Sequence, residues 1–182
     1  MKDGNQAGHE FKGIDHVQFA CSDMDRTINF WQSIGMKCTL KLVLHTPERY
    51  HFFVDVGKGS VISYWYWPGR KLTPPPSHDV RDRAGFYHLA FHVDSEEELE
   101  EMRQRLLAAG IKVSDIEGRH MLDKSIYFQD PDGVQVEFAC RMFNLEGVVE
   151  HDGKGTLIPL SEGARLEKRT LDGPVHFETR YK

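Results

Sequence analysis

Two of the ten histidines in this chain of 182 residues open segments that resemble each other. Gly13-Ile-Asp-His-Val-Gln-Phe-Ala-Cys-Ser22 has its counterpart in Gly85-Phe-Tyr-His-Leu-Ala-Phe-His-Val-Asp94, which aligns His16 with His88. Strand side chains alternate between faces. His16, Gln18 and Ala20 therefore oppose Val17 and Phe19, and His88, Ala90 and His92 oppose Leu89, Phe91 and Val93. In a later run Gln135, Glu137 and Ala139 oppose Val134, Val136 and Phe138. A single strand histidine is commonly only a solvent-facing or hydrogen-bonded residue. If the two copies form a curved sheet whose polar faces line one cavity, two imidazoles and a carboxylate converge there as a donor set. On one side of an octahedral metal they leave about three positions open, as in non-haem Fe(II) oxygenases.

The elements that must position these residues repeat with them. Each histidine strand is followed by a helical pattern that stops at a glycine, Met24 to Gly35 and Ser95 to Gly110. In the second helix Ser95 is the expected N-cap, acidic residues fill the first turn, and Leu99, Met102, Leu106 and Leu107 form the apolar face. Three strand-like runs follow each helix. In the first copy they are Lys37 to Leu44, Tyr50 to Val56 and Ser60 to Trp67; in the second, Ile111 to Glu117, Lys124 to Gln129 and Val134 to Cys140. The unit is βαβββ, used twice, with Gly59 and Gly133 marking the last hairpins. The divisions are an N-terminal extension (1–12), a first module (13–67), a linker (68–84), a second module (85–140) and a C-terminal extension (141–182), all in one structural domain. Pro74-Pro75-Pro76 keeps the linker from being a central strand. The extension is glycine-rich and polar, with strand signals at Thr156 to Pro159 and Val175 to Phe177, and reads as a tail wrapping the domain or a neighbouring subunit.

From Gly13 to Cys140 these residues resemble the vicinal oxygen chelate superfamily, which includes glyoxalase I, fosfomycin-resistance enzymes, bleomycin-binding proteins and type I extradiol dioxygenases. The resemblance implies an α+β fold in which the two βαβββ modules form a cup-shaped mixed sheet, with helices on the outer face and the tail added. It also implies metal ligands at His16, His88 and Glu137. Gly118-Arg-His120, five residues, Ile126-Tyr127-Phe-Gln-Asp130-Pro131-Asp132-Gly133 and three residues to Glu137 are similar to the extradiol dioxygenase signature. That likeness implies a one-domain, ring-cleaving oxidoreductase of aromatic compound catabolism. Its cofactor is expected to be Fe(II), with Mn(II) as alternative, and its substrates an aromatic diol and O2. His120 and Tyr127 are expected around the substrate, and His78 as an acid–base group, with His45, His51 and His92 competing for that role. Ser63 stands where glyoxalase I has a further carboxylate ligand, which argues against that isomerase. Two other readings compete: a thiol transferase or isomerase of the same superfamily, usually with Mn(II), and a metal-free drug-binding protein, which would generally lack the triad.

Composition bounds the partners. With 23 basic and 28 acidic residues, the net charge of −5 gives no electrostatic reason to expect nucleic acid or an anionic membrane. No apolar run approaches the roughly 18 residues of a membrane span, and the polar start lacks a signal-peptide core, so the cytoplasm is the expected location. Three cysteines without CxxC spacing suggest buried free thiols rather than a disulfide framework. The first strand of each module offers an edge for a homodimer or higher homo-oligomer. In Tyr64-Trp65-Tyr66-Trp67, alternate rings either wall the cup or fill a sheet core.

Overall fold

The computed structural model describes residues 14–45, 48–73, 88–119, 123–141, 143–146, 149–151, 157–159, 165–168 and 175–177. His78 and His120 lie outside the described residues. The chain divides into two units, Met1–Leu72 and Thr73–Lys182.

The first unit runs β1 (His16–Ala20), α1 (Met24–Ser33), β2 (Lys37–His45), β3 (Glu48–Gly57) and β4 (Ser60–Tyr66). Its sheet has the order β1-β4-β3-β2, with β1 parallel to β4 and the other pairs antiparallel. Helix α1 begins where the Asp23 carboxylate accepts the Arg26 N–H at 2.9 Å, satisfying one of the unpaired N-terminal amides. It buries Met24, Thr27 and Trp31, a stripe at helical spacing. Trp31, 1% exposed, donates its Nε1–H to the Tyr64 hydroxyl at 2.9 Å. Phe52 stacks on Tyr64 at 5.2 Å, and Val54 and Ile62 complete this oily side of the sheet. The two-residue turn between β3 and β4 puts both Lys58 and Gly59 at positive φ, the left-handed conformation that such hairpins need and that glycine adopts without strain.

The second unit repeats the plan: β5 (His88–Val93), α2 (Glu96–Ala108), β6 (Glu117–Arg119), β7 (Asp123–Gln129) and β8 (Gln135–Arg141), in the order β5-β8-β7-β6 with β5 parallel to β8. Ser95 is the N-cap, its Oγ accepting the Glu98 N–H at 3.2 Å, while the Glu98 carboxylate accepts the Asp94 N–H at 2.8 Å. Leu99 and Leu106 are fully buried beside Ile126, Phe128, Val136 and Phe138.

Two expectations for this unit are corrected. Leu107 is 45% exposed, because the stripe that meets the sheet is narrow: Leu99 and Leu106 lie two turns apart on it, and the next residue has rotated away. The run Ile111 to Glu117 is not a strand except at its last residue. One bridge pairs Val113 with Phe128, and side chains satisfy the neighbouring backbone instead of a ladder. Arg103 donates to the Ser114 carbonyl at 3.1 Å and to Asp115 at 2.8 Å, and Ser114 Oγ accepts the Tyr127 N–H at 3.0 Å.

The C-terminal extension adds β9 (Phe143–Glu146), β10 (Val149–His151), β11 (Leu157–Pro159), β12 (Arg165–Lys168) and β13 (Val175–Phe177). β13-β12-β9 form one sheet and β10-β11 a pair. β11 and β13 fall on the two expected strand signals; β9, β10 and β12 were not foreseen.

Candidate metal centre

In the second unit, parallel neighbours β5 and β8 set His88 opposite Gln135 and Ala90 opposite Glu137. The His88 imidazole reaches along this face to Glu137, with Nε2 2.9 Å from Oε2. On the other side of β8, Tyr127 of β7 is the cross-strand partner of Glu137 and donates its hydroxyl to Oε1 at 3.0 Å. The Tyr127 ring stands edge-on to His88, 6.3 Å between centroids. Glu137 is only 6% exposed, and a carboxylate that buried needs partners on both oxygens. Tyr127 is itself held at its backbone by Ser114, so the phenol that grips Glu137 is anchored by the segment that failed to become a strand.

Two ligands at right angles on one ion, with bonds of about 2.1 Å, lie about 3.0 Å apart. The 2.9 Å between His88 Nε2 and Glu137 Oε2 fits that separation, and nitrogen with carboxylate oxygen suits a borderline divalent ion. Within either unit, among the described residues, no third His, Cys, Asp or Glu completes such a group. A cavity of about 570 Å³ in the second unit is lined in part by Tyr127, Gln135, Gln129 and Lys112.

The first unit has equivalent positions. Gln18 of β1 faces Ser63 of β4 as Ala90 faces Glu137, so His16 occupies the place of His88 and Ser63 that of Glu137. His16 Nδ1 lies 2.6 Å from Asp15 Oδ1. A carboxylate on Nδ1 orients the ring and leaves Nε2 as the ligating atom, the usual support of a metal-bound histidine. Sequence reasoning overlooked Asp15; its one signal was the acidic residue directly before the candidate ligand.

The other histidines separate. His92 Nε2 lies 3.3 Å from Asp94, and His45 is exposed at the end of β2. His51 stacks on Trp65, and burial, followed by the nearby His16, holds its pKa below the ordinary imidazole value. The aromatic run divides as strand alternation dictates: Tyr64 fills the core, while Trp65 and Trp67 stack 5.7 Å apart on the face that carries His16.

Residues 13–138 match the profile of the Glyoxalase/Bleomycin resistance protein/Dioxygenase superfamily, and the paired βαβββ units are its fold. The chain belongs to this superfamily. Among characterised relatives, the metallothiol transferase FosB of Shouchella clausii is 31% identical over 128 residues, covering 69% of this chain and 77% of that protein. FosB of Lysinibacillus sphaericus is 28% identical over 129 residues, covering 70% and 81%. Among solved structures, a superfamily domain from a Frankia species superposes with a TM-score of 0.62 at 20% identity, covering 72% of this chain and 99% of that one. A variant of the fosfomycin resistance protein FosX from Listeria monocytogenes, complexed with Mn(II) and 1S,2S-dihydroxypropylphosphonic acid, has a TM-score of 0.52 at 25% identity and covers 72% and 94%. No described helix is long and apolar enough to cross a membrane.

Proposed function

We propose that His16, His88 and Glu137 hold one divalent metal, with Mn(II) preferred to the Fe(II) expected from sequence, and that the protein transfers a thiol to a small, oxygen-chelating epoxide of the fosfomycin type. The observation that carries this reading is the His88–Glu137 pair at the separation of two adjacent ligands, with Tyr127 gripping the second carboxylate oxygen. The FosB likeness supports transfer chemistry over ring cleavage. So does the Tyr127 hydroxyl, which the ring-cleaving reading needs for a substrate oxygen and which here serves Glu137.

Two neutral imidazoles and one carboxylate bring a single negative charge to a divalent ion, so the centre keeps a net positive charge and selects an anionic, chelating substrate. When bound, the ion acts as a Lewis acid that polarises the epoxide oxygen. Asp15 and Tyr127 keep their partners in a fixed orientation, which lowers the reorganisation needed when substrate arrives. In the balanced step the thiol sulfur forms a bond to an epoxide carbon, the carbon–oxygen bond breaks, and the thiol proton ends on the released oxygen.

The test is chelation followed by reloading with Mn(II) or Fe(II), then incubation with fosfomycin and L-cysteine. An adduct with the summed mass of both reactants, formed only with metal, is expected. No adduct with either ion would overturn the proposal, and metal-dependent oxygen uptake with a catechol in its place would restore the dioxygenase reading. Tyr127→Phe removes the hydroxyl from Glu137 Oε1 and keeps the ring. It is expected to weaken Mn(II) binding about ten- to a hundredfold, as loss of an outer-sphere partner does, which a competition titration with a coloured chelator measures.

A further inference from the structure

We infer that the epoxide substrate of this site carries a planar aromatic ring beside its chelating oxyanion, fosfomycin being a ring-free minimal member of that class, and that Trp65 and Trp67 receive that ring; the inference rests on the metal reading above. Directly opposed residues on neighbouring strands share a face. Gln18 opposite Ser63, and Ala20 opposite Trp65, therefore put the indole on the side of the sheet that presents His16. His51 extends the same face as the partner of Trp65, its ring 4.1 Å away and tilted by 6°. Trp67 stacks beyond Trp65 at 5.7 Å and 20°.

These rings are not needed to fill the core. Phe52 and Tyr64, at 0% and 1% exposure, already occupy the helix side, whereas Trp65 and Trp67 are only part-buried. In the second unit the residue matching Trp65 is Ala139, and the residue matching Phe53 is Tyr127. The repeat thus has an aromatic face in one copy and a small, polar one in the other.

Charge and hydrogen-bonding groups complete the chemistry. The Arg49 guanidinium lies 5.8 Å from the Trp65 ring centre and that of Arg70 lies 5.3 Å from Trp67, which places positive charge at the indoles and suits a ring that adjoins an oxyanion. Among the described residues, Ser63, fully buried, has no hydrogen-bond partner for its Oγ, and His51 Nε2 is likewise buried without one. Buried polar atoms are nearly always paired, so each of these two keeps unused hydrogen-bonding capacity. Leu40 and Leu42, the cross-strand partners of Phe53 and His51, stay 47% and 41% exposed and extend an apolar border.

Calorimetric titration of the Mn(II)-loaded protein with phenylphosphonate and with methylphosphonate tests this, since both offer the same oxyanion and only one has a ring. Phenylphosphonate is expected to bind about three- to tenfold more tightly, the range of one stacking contact. In Trp65→Leu and, separately, Trp67→Leu, that ratio is expected to fall towards one. Equal affinities in the parent protein, or a ratio that both variants preserve, would overturn the inference while leaving the metal reading intact. Failure of both phosphonates to bind would overturn the two together.

Discussion

Glu137→Gln is expected to lower Mn(II) affinity by more than about a hundredfold and to abolish metal-dependent adduct formation. Loss of an outer-sphere partner costs about ten- to a hundredfold in metal affinity, so loss of a direct anionic donor exceeds that range. The replacement is close to isosteric, keeps β8 intact and leaves an amide oxygen for the Tyr127 hydroxyl to donate to. What disappears is the single negative charge that His88 faces at 2.9 Å. The affinity is read from a competition titration and the fold from a thermal melt. A variant that melts normally and still binds Mn(II) within about threefold of the parent, well inside the outer-sphere range, would place the ion elsewhere.

Trp31→Ala carries the largest expected loss of stability, about 3–5 kcal/mol, the range for removing a buried large aromatic. Trp31 is 1% exposed, meets Phe30 edge-on at 5.1 Å and donates its indole N–H to Tyr64. It is the residue through which α1 closes the oily side of the first sheet, and that sheet carries His16. Against a total of about 5–15 kcal/mol for a typical domain, the loss leaves little reserve. Urea unfolding should show the midpoint falling at unchanged slope. A change below about 1 kcal/mol would mean that the neighbouring side chains collapse into the space, contrary to close packing here.

Much of the architecture was legible because βαβββ repeats leave strong signals. His16 and His88 head equivalent strands, Ser95 caps α2, and β8 alternates cleanly, so Glu137 could be assigned to the polar face without coordinates. The boundaries that went wrong lie where long-range bonds outweigh local pattern. Ile111 to Glu117 has strand-like composition, yet Arg103 takes up the Ser114 carbonyl and Ser114 Oγ accepts the Tyr127 N–H of the neighbouring strand. Leu107 reads as core by type and is exposed by rotation.

The sequence by itself determined the duplicated unit, the residue types at the candidate centre and the faces on which they lie, since strand alternation is local and has a period of two. Only the tertiary structure decided what those residues touch. Tyr127 holds Glu137, Asp15 orients His16, and the tryptophans part from Tyr64 to form a stacked surface beside His51. Such contacts depend on strand register and on side-chain reach across neighbouring strands, which are set by packing between segments distant in the chain.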